Sequence, residues 1–547
     1  MSNAITRSDF LKGMAAAGLG VAAFGGLAAC SPNGESGGGA QANGSQTAWD
    51  EEFDVVVVGS GTGAYAALAA LDAGAETVAV LEKGEMWGGT SATSGGGFWI
   101  PMAYCATELG VEDNREDAIT YMKKVAAGRS TDALIETYVD NANPFLEWTR
   151  DLLGFTWGFN NEMFQDYFEP YEGFRAFGRG SVSLVGEMGA GGMWTTLQQK
   201  LGEMGAEIKM RTTVSQLITD GEGAVVGVST EDGTNYHAKK CVVLATGGFD
   251  HNKEMRAAYH TMPLYVTCAS AGDTGDGQRM GQAIGADLAI MDENWGVPSF
   301  LPGPFKEFDP EADIVQDYTV NDWALYRGKP NALVVNRYGK RFGNEAAVYA
   351  VFNRSFGQWD SGNLEFTNIP AFFVCDSEYT QYYTLPGQAA PGDPIPEMFV
   401  QAETLEELAG ILGIDQAGFA AQIEEFNANA AQGADPQFHR GEKQVDQKSS
   451  GDYGTRTELA NVCLAPIATP PFYGATYVPG TCGTNGGLRI NEYAQVLDTA
   501  GEPIAGLLAV GNCSASLSGG GYTGGGMTLG AGSVMGWVGV KHALGAS

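Results

Sequence analysis

The hydrophobic pattern of the chain changes period sharply between residues 54 and 82. Four consecutive valines at 55–58 read as a strand buried on both faces. They run straight into Gly59-x-Gly61-x-Gly63-Ala64 and then into an apolar, alanine-rich stretch with helical spacing. A second apolar run at 78–81 predicts another strand and ends on the acid Glu82. Strand, glycines, helix, strand and an acid 23 residues after Gly59 together form the βαβ pattern that cradles a dinucleotide. In that pattern the backbone approaches a pyrophosphate at a helix N-terminus, and the acid meets a ribose hydroxyl. Gly59, Gly61, Thr62, Gly63 and Ala64 are the expected diphosphate contacts, and Glu82 the expected ribose contact. Only one complete glycine fingerprint follows a strand, so a separate nicotinamide site is not supported.

Other segments point to the same ligand. The stretch from Lys83 to Gly97 is rich in glycine and small hydroxyls, and it follows Glu82 with no helix or strand expected between. Such a loop can lie flat on a large planar cofactor, which points to FAD rather than NAD. Lys83, Gly89, Thr90, Ser91, Ser94, Gly95 and Gly96 are its expected contacts. Apolar residues 242–244 end in the tight turn Ala245-Thr246-Gly247-Gly248, and the apolar run 507–510 ends in Gly511-Asn512. Alternating strands split by glycine turns predict a small β excursion over 207–243, which includes the further expected contact Val214. Gly272-Asp273-Thr274-Gly275-Asp276-Gly277 opens a helix through Ala283, with Asp276 toward the cofactor.

The predicted fold is α/β: a Rossmann-like FAD-binding domain of the glutathione-reductase type with an inserted α+β substrate or cap domain. The first part of the FAD domain is expected at 51–291, the cap at 292–477, and the second part at 478–547. The cap is rich in aromatics, prolines and acids, with a helix pair at 404–431. An inserted lid places the active site in the cleft beneath it.

The ends and the charge add a location. Residues 1–30 read as an export signal: Thr6-Arg7-Ser8-Asp9-Phe10-Leu11-Lys12 resembles a twin-arginine signal with Ser8 in place of the second arginine. Leu27-Ala28-Ala29-Cys30 resembles a lipobox, which makes Cys30 the expected lipid-anchored residue of an extracytoplasmic lipoprotein, and 31–50 a flexible tether. Acids outnumber bases 65 to 31, for a net charge of −34. That field repels nucleic acid and suits a cationic partner such as a basic cytochrome, although a solvated extracellular surface is the commoner reason for it. The eight cysteines, at 30, 105, 241, 268, 375, 463, 482 and 513, contain no CxxC or CxxCH. No metal, cluster or haem site is legible, so electrons must be exchanged with a separate cytochrome or quinone-linked molecule.

Near the C-terminus, one tyrosine stands among six glycines in residues 518–529, ahead of an apolar helix at 534–543. Such a loop can bring backbone N–H groups and one phenol close to a flat substrate, with Thr528 and Leu529 toward the cofactor. This segment, with Gly88-Gly89-Thr90-Ser91-Ala92, Gly272–Gly277, Gly339-Lys340-Arg341-Phe342-x-Asn344-Glu345 and Gly483-Thr484-Asn485-Gly486-Gly487-Leu488, resembles the 3-ketosteroid dehydrogenases of the fumarate reductase/succinate dehydrogenase flavoprotein superfamily. The resemblance implies a site for a ketone or enone substrate. Tyr522 and the Gly526 N–H would hold the ketone oxygen, Tyr349 would exchange the proton at the α carbon, and Tyr167 would hydrogen-bond Tyr349, with Tyr171 as the fallback. Thr523, Gly525 and Val348 replace three of the family's prolines, so the loop is expected to be softer.

Two other readings stay open. A fumarate-type reductase of an unsaturated carboxylate needs arginines, yet Val348 stands where that branch carries one, and none occurs after Arg489. A tethered flavin electron carrier needs neither the aromatic lid nor the tyrosines. Direction is likewise open, with reduction favoured by the export context.

Overall fold

The valine run becomes the centre of the main sheet because none of its side chains needs water. The computed structural model describes residues 47–159, 166–176, 179–183, 190–317, 326–386 and 389–546. The expected export signal, Cys30 and all but the end of the tether lie outside them. Strand Glu51–Val58 lies between Val78–Glu82 and Asn235–Leu244, parallel to both. Val55, Val56 and Val57 are fully buried, each contributing about 2 kcal/mol. The sheet runs Gln495–Leu497, Pro503–Ala509, Asn235–Leu244, Glu51–Val58, Val78–Glu82, Glu207–Met210. Chain order therefore reverses beside Glu51–Val58, and the crevice at the carboxyl ends of Glu51–Val58 and Asn235–Leu244 is the topological switch point.

Small residues close the layers around that crevice. Helix Gly63–Asp72 is buried from Gly63 to Ala70. Its alanines let the C-terminal helix Met527–Ala543 settle against it, and Gly536 faces Ala66. Gly59 has φ +100°, and a Cβ there would overlap the Ala245 carbonyl on the neighbouring strand.

A second, antiparallel sheet is built from Ser299–Phe300, Phe472–Val478, Ala371–Cys375 and Ala332–Asn336, with Val400–Ala402 also on Phe472–Val478. Its period of two sorts the side chains. Leu333, Val335, Phe372 and Val374 pack on helices Leu405–Leu412 and Gln416–Ala430, and Ala332, Val334 and Phe373 pack with Phe300, Phe352 and Tyr477. The helix pair falls where its pattern placed it.

Four local expectations change. The stretch after Lys83 winds one helical turn at Gly89–Ala92 and then forms strand Gly97–Trp99, because Gly88 at φ +95° caps the turn. Strand Glu207–Met210 leaves the predicted excursion and pairs with Val78–Glu82, its Ile208 opposite Val80. The excursion proper is Val214–Thr219, Val225–Thr230 and the start of Asn235–Leu244. The C-terminal helix starts at Met527, since Gly526 in the left-handed region ends the loop. A further small sheet takes Val266–Thr267 and Gly480–Thr484 from the expected FAD segments and Asn294–Gly296 and Val315–Gln316 from the expected cap. Among the described residues no helix is long and apolar enough to cross a membrane.

Gly59→Ala combines a disfavoured φ with overlap onto a backbone atom that cannot yield. We expect a loss of at least ~2 kcal/mol of stability and of FAD retention, read by thermal melting and by the flavin absorbance of the purified protein.

Candidate active site

The glycine turn after the first strand is braced from below. Glu82 accepts hydrogen bonds from the Ser60 N–H (2.9 Å) and hydroxyl (2.5 Å) with one carboxylate oxygen, and from the Gly84 N–H (2.7 Å) with the other. Trp194 Nε1 donates to the Ser60 and Gly61 carbonyls. The expected ribose acid thus also sets the shape of the loop, and Ser60, which carried no sequence signal, is its main partner. No side chain caps helix Gly63–Asp72 and no acid lies in its first turn, so its N-terminus offers Thr62 and Gly63 backbone to an anion, while the Ala64 N–H donates to the Gly61 carbonyl. Lys83 and Asp276 meet each other at 2.5 Å, and Thr274 joins them. Thr90 donates to Asp273, whose carboxyl is pushed up to about 8 by burial and by the nearby Asp250.

The remaining expected contacts fall in several separate segments. Ser91 lies beside Gly61, and the Ser94 hydroxyl accepts from Gly96 and leaves Gly95 in open space. Thr246 accepts from the Gly277 N–H (3.1 Å), beside Ala245 and Gly247, and Val214 is buried at the start of its strand. Gly511, Asn512 and Thr528 line a cleft together with Trp295 and Asn485. Gly89 and Leu529 sit in the helices Gly89–Ala92 and Met527–Ala543. Helix Met527–Ala543 also begins with no side-chain cap and no acid.

A flavin dinucleotide fits this cradle. It has two uncapped helix N-termini, glycines that admit no Cβ, and a cleft whose wall holds an unpartnered buried acceptor, Asn485 Oδ1. Gln278 Oε1 is likewise buried and unpartnered, while its amide donates to the Gly247 and Asn512 carbonyls. Sequence inspection gave neither amide a role, because a motif does not reveal which amide is left unpaired. Among the described residues no three His, Cys, Asp or Glu side chains gather where they could hold a metal ion.

Three tyrosines from distant parts of the chain meet at one point. The Tyr167 and Tyr349 hydroxyls are 2.7 Å apart. Tyr522 completes the cluster, its ring centroid 5.4 Å from Tyr167 and 5.8 Å from Tyr349. Trp295 packs on Tyr522 at 4.6 Å, a contact that only folding creates. Tyr171, the fallback, is 39% exposed and stacks on Phe168 instead. Burial pushes all three clustered phenols above their ordinary range, and the charges that raise Tyr349 further are those of Tyr167, Tyr522 and Cys482. No cation stands among these neighbours.

Each tyrosine is held by its own scaffold. Tyr349 opens helix Tyr349–Asn353 four residues after Glu345, which is buried and bound by Arg341 at 2.5 and 2.7 Å and by Arg440 at 3.4 Å. Asp166, next to Tyr167, accepts from Trp99 Nε1 (2.8 Å), Arg179 (2.7 Å) and the Arg175 N–H (3.0 Å). Burial pushes its carboxyl up to about 6 against the pull of Arg179. Tyr121, unmarked in the sequence, joins two of the segments that carry the clustered tyrosines. Its hydroxyl accepts from the Tyr167 and Phe168 N–H groups (3.0 and 3.1 Å) and donates to the Thr523 carbonyl (2.6 Å). The Tyr167 N–H also donates to Thr523 (3.0 Å), and Asp166 bridges Gly524. These bonds tie the glycine loop where the family's prolines are missing. Arg354 donates to the Gly520 carbonyl and to Glu293, so its guanidinium is engaged in holding the loop.

This fold and site define a flavoprotein, and comparison with known proteins says which kind. The model of the FAD binding domain family matches residues 54–529, and the chain belongs to that family. Over 89% of its length it is 33% identical to the 4-oxocyclohexanecarboxylate 2-dehydrogenase of Sinomonas cyclohexanicum, covering 92% of that protein. It is 31% identical to the 3-oxosteroid 1-dehydrogenase of Mycobacterium tuberculosis over 90% of its length and 98% of that protein's. The crystal structure of 3-ketosteroid Δ1-dehydrogenase from Sterolibacterium denitrificans with 1,4-androstadiene-3,17-dione superposes with a TM-score of 0.81 at 27% identity, covering 91% of this chain and all of that one. The chain is an FAD-dependent oxidoreductase of the CH–CH class, in the branch that resembles the 3-ketosteroid dehydrogenases.

Tyr121→Phe removes an acceptor of the Tyr167 and Phe168 N–H groups and the hydroxyl donor to the Thr523 carbonyl. We expect a loss of about 2 kcal/mol in thermal or denaturant unfolding, and roughly tenfold slower turnover with FAD still bound.

Proposed function

We propose that this flavoenzyme reduces a flat cyclic enone, adding hydrogen across the C–C double bond next to the ketone. The observation that carries this is the hydroxyl pair Tyr167–Tyr349 at 2.7 Å beside Tyr522, all three held protonated by burial. The relatives named for ring ketones support the substrate class. The phenols' protonation supports the direction, because a proton donor is what reduction requires.

Bound FAD supplies the hydride for the β carbon. Tyr522 and the Gly526 N–H would hold the ketone oxygen, where negative charge grows as the enolate forms. Tyr349 would give its proton to the α carbon, and Tyr167 would then donate its hydrogen bond to the Tyr349 oxygen and stabilise the phenolate. The second hydroxyl is the partner that a phenol with an ordinary pKa near 10 needs. The opposite reaction needs a tyrosinate at the start, which a buried pocket with no cation among its described neighbours disfavours. A fumarate-type reading lacks a clamp, since Val348 is buried and Arg354 holds the loop.

Export and lipid anchoring at Cys30 belong to the same proposal, supported by the N-terminal motif alone. An extracytoplasmic cytochrome or a quinone-linked carrier would then deliver the electrons.

The direct test mixes anaerobically reduced, FAD-loaded protein with a 1,4-dien-3-one steroid and, separately, with fumarate, while flavin reoxidation is followed. Fast reoxidation by the dienone alone is expected, slowed about 10²-fold or more in Tyr522→Phe. Reoxidation by fumarate alone, or full turnover by Tyr522→Phe, sinks the assignment. The raised phenol pKa values also fix a pH dependence. Enone reduction, which uses the protonated phenol, should stay flat through about pH 10. Ketone dehydrogenation by the same protein should climb about tenfold per pH unit over that range, as the tyrosinate fraction grows.

A further inference from the structure

Two cysteines that no motif connects are brought together beside the tyrosine cluster. Cys268 directly follows strand Val266–Thr267, and Cys482 lies in strand Gly480–Thr484. The two strands pair in parallel, Val266 opposite Gly480 and Thr267 opposite Thr481. The Cys268 N–H extends the ladder onto the Thr481 carbonyl at 3.2 Å, so Cys268 comes to stand opposite Cys482. Facing residues on adjacent strands lie about 5 Å apart, within the Cα separation that a disulfide spans. The neighbouring Cys482 thiol, and burial after it, push the Cys268 thiol well above its ordinary range.

Cys482 also faces the site. It is only partly buried, and its thiol donates to the Trp295 carbonyl at 3.4 Å. The indole of that same Trp295 packs on Tyr522. Other described cysteines have different neighbours. Cys105 meets the Ser181 hydroxyl, Cys463 donates to the Asp446 carbonyl, and Cys513 meets Thr246.

We propose that Cys268 and Cys482 are a redox modification site, closing reversibly to a disulfide at the edge of the substrate pocket. The oxidant is a low-molecular-weight disulfide. The thiolate of Cys482, the more accessible thiol, attacks one of its sulfurs and expels one small thiolate. Cys268 loses its proton and attacks the Cys482 sulfur of that mixed disulfide, releasing the second small thiol. Two protein thiols are oxidised by two electrons, and one small disulfide is reduced to two thiols. The bond ties Val266–Thr267 to Gly480–Thr484 and draws the Cys482 sulfur off the Trp295 carbonyl. The compartment proposed above is one where disulfides persist.

The test treats the FAD-loaded chain with oxidised glutathione, blocks free thiols under denaturing conditions, and maps tryptic peptides by mass spectrometry without reduction. A Cys268–Cys482 linked peptide is expected, with two fewer alkylated cysteines per chain, both recovered after dithiothreitol. Before oxidation, iodoacetamide should label Cys482 in the native protein; after it, that labelling should fall at least tenfold. Cys268→Ser should leave Cys482 as a glutathione mixed disulfide, and Cys482→Ser should leave Cys268 unmodified in the native chain. Both cysteines remaining alkylatable after oxidation, or a link to any other cysteine, overturns the proposal. The wild-type map decides even where a variant fails to fold, and it does not depend on which substrate the enzyme takes.

Discussion

The close passage of the turn after Glu51–Val58 beside the Ala245 carbonyl, at the end of Asn235–Leu244, sets the position of nearly everything else. A buried parallel strand must be hydrogen-bonded on both edges, and it finds Val78–Glu82 on one side and Asn235–Leu244 on the other. With both partners fixed, the reversal of strand order opens a crevice at their carboxyl ends, and backbone without side chains is the only material that fits there. Glu82 and Trp194 then hold the Ser60–Gly61 turn in shape from two directions. The cofactor cradle is thus a consequence of sheet closure, and the segments at Thr246, Gly277, Gly511 and Thr528 reach it only because their own strands and helices end at the same edge.

The tyrosine site depends on this frame but is assembled by different forces. Tyr522 rides on a loop of glycines that has little conformational preference of its own, so its position must be imposed by neighbours. Tyr121 and the Asp166–Gly524 bridge impose it from one side, and Arg354 from another. Tyr349 comes from the antiparallel sheet through the buried Glu345 pair with Arg341. The result is three phenols in apolar surroundings with hydroxyls as their polar company. In such a pocket burial favours the neutral phenol, which is the form the proposed reduction would use.

The site's two halves differ in how far the chain announced them. The valines, the glycine fingerprint and Glu82 act over a few residues, through backbone conformation and the alternation of buried positions, so they are legible one after another. The same holds for the helix pair in 404–431. Strand Glu207–Met210 was misplaced because an isolated four-residue strand carries no mark of its partner, and pairing with Val78–Glu82 is decided by the edge left open there. The turn Gly89–Ala92 was missed because glycines permit a helical turn without favouring one.

Tyr522, Tyr349 and Tyr167 could be picked out through likeness to a family, but their 2.7 Å contact and raised pKa values belong to the fold. Desolvation and proximity are properties of three segments brought together across more than 300 residues of chain, from 167 to 522. Ser60, Tyr121, Asn485, Trp295 and the facing thiols of Cys268 and Cys482 carried no local signal at all, since each acts through a partner that only the folded chain supplies. What the sequence alone determined is the nucleotide cradle, because its chemistry is written in adjacent residues. What only tertiary structure decided is the protonation and orientation of the groups that face the substrate, because both depend on what surrounds a side chain and not on what precedes it.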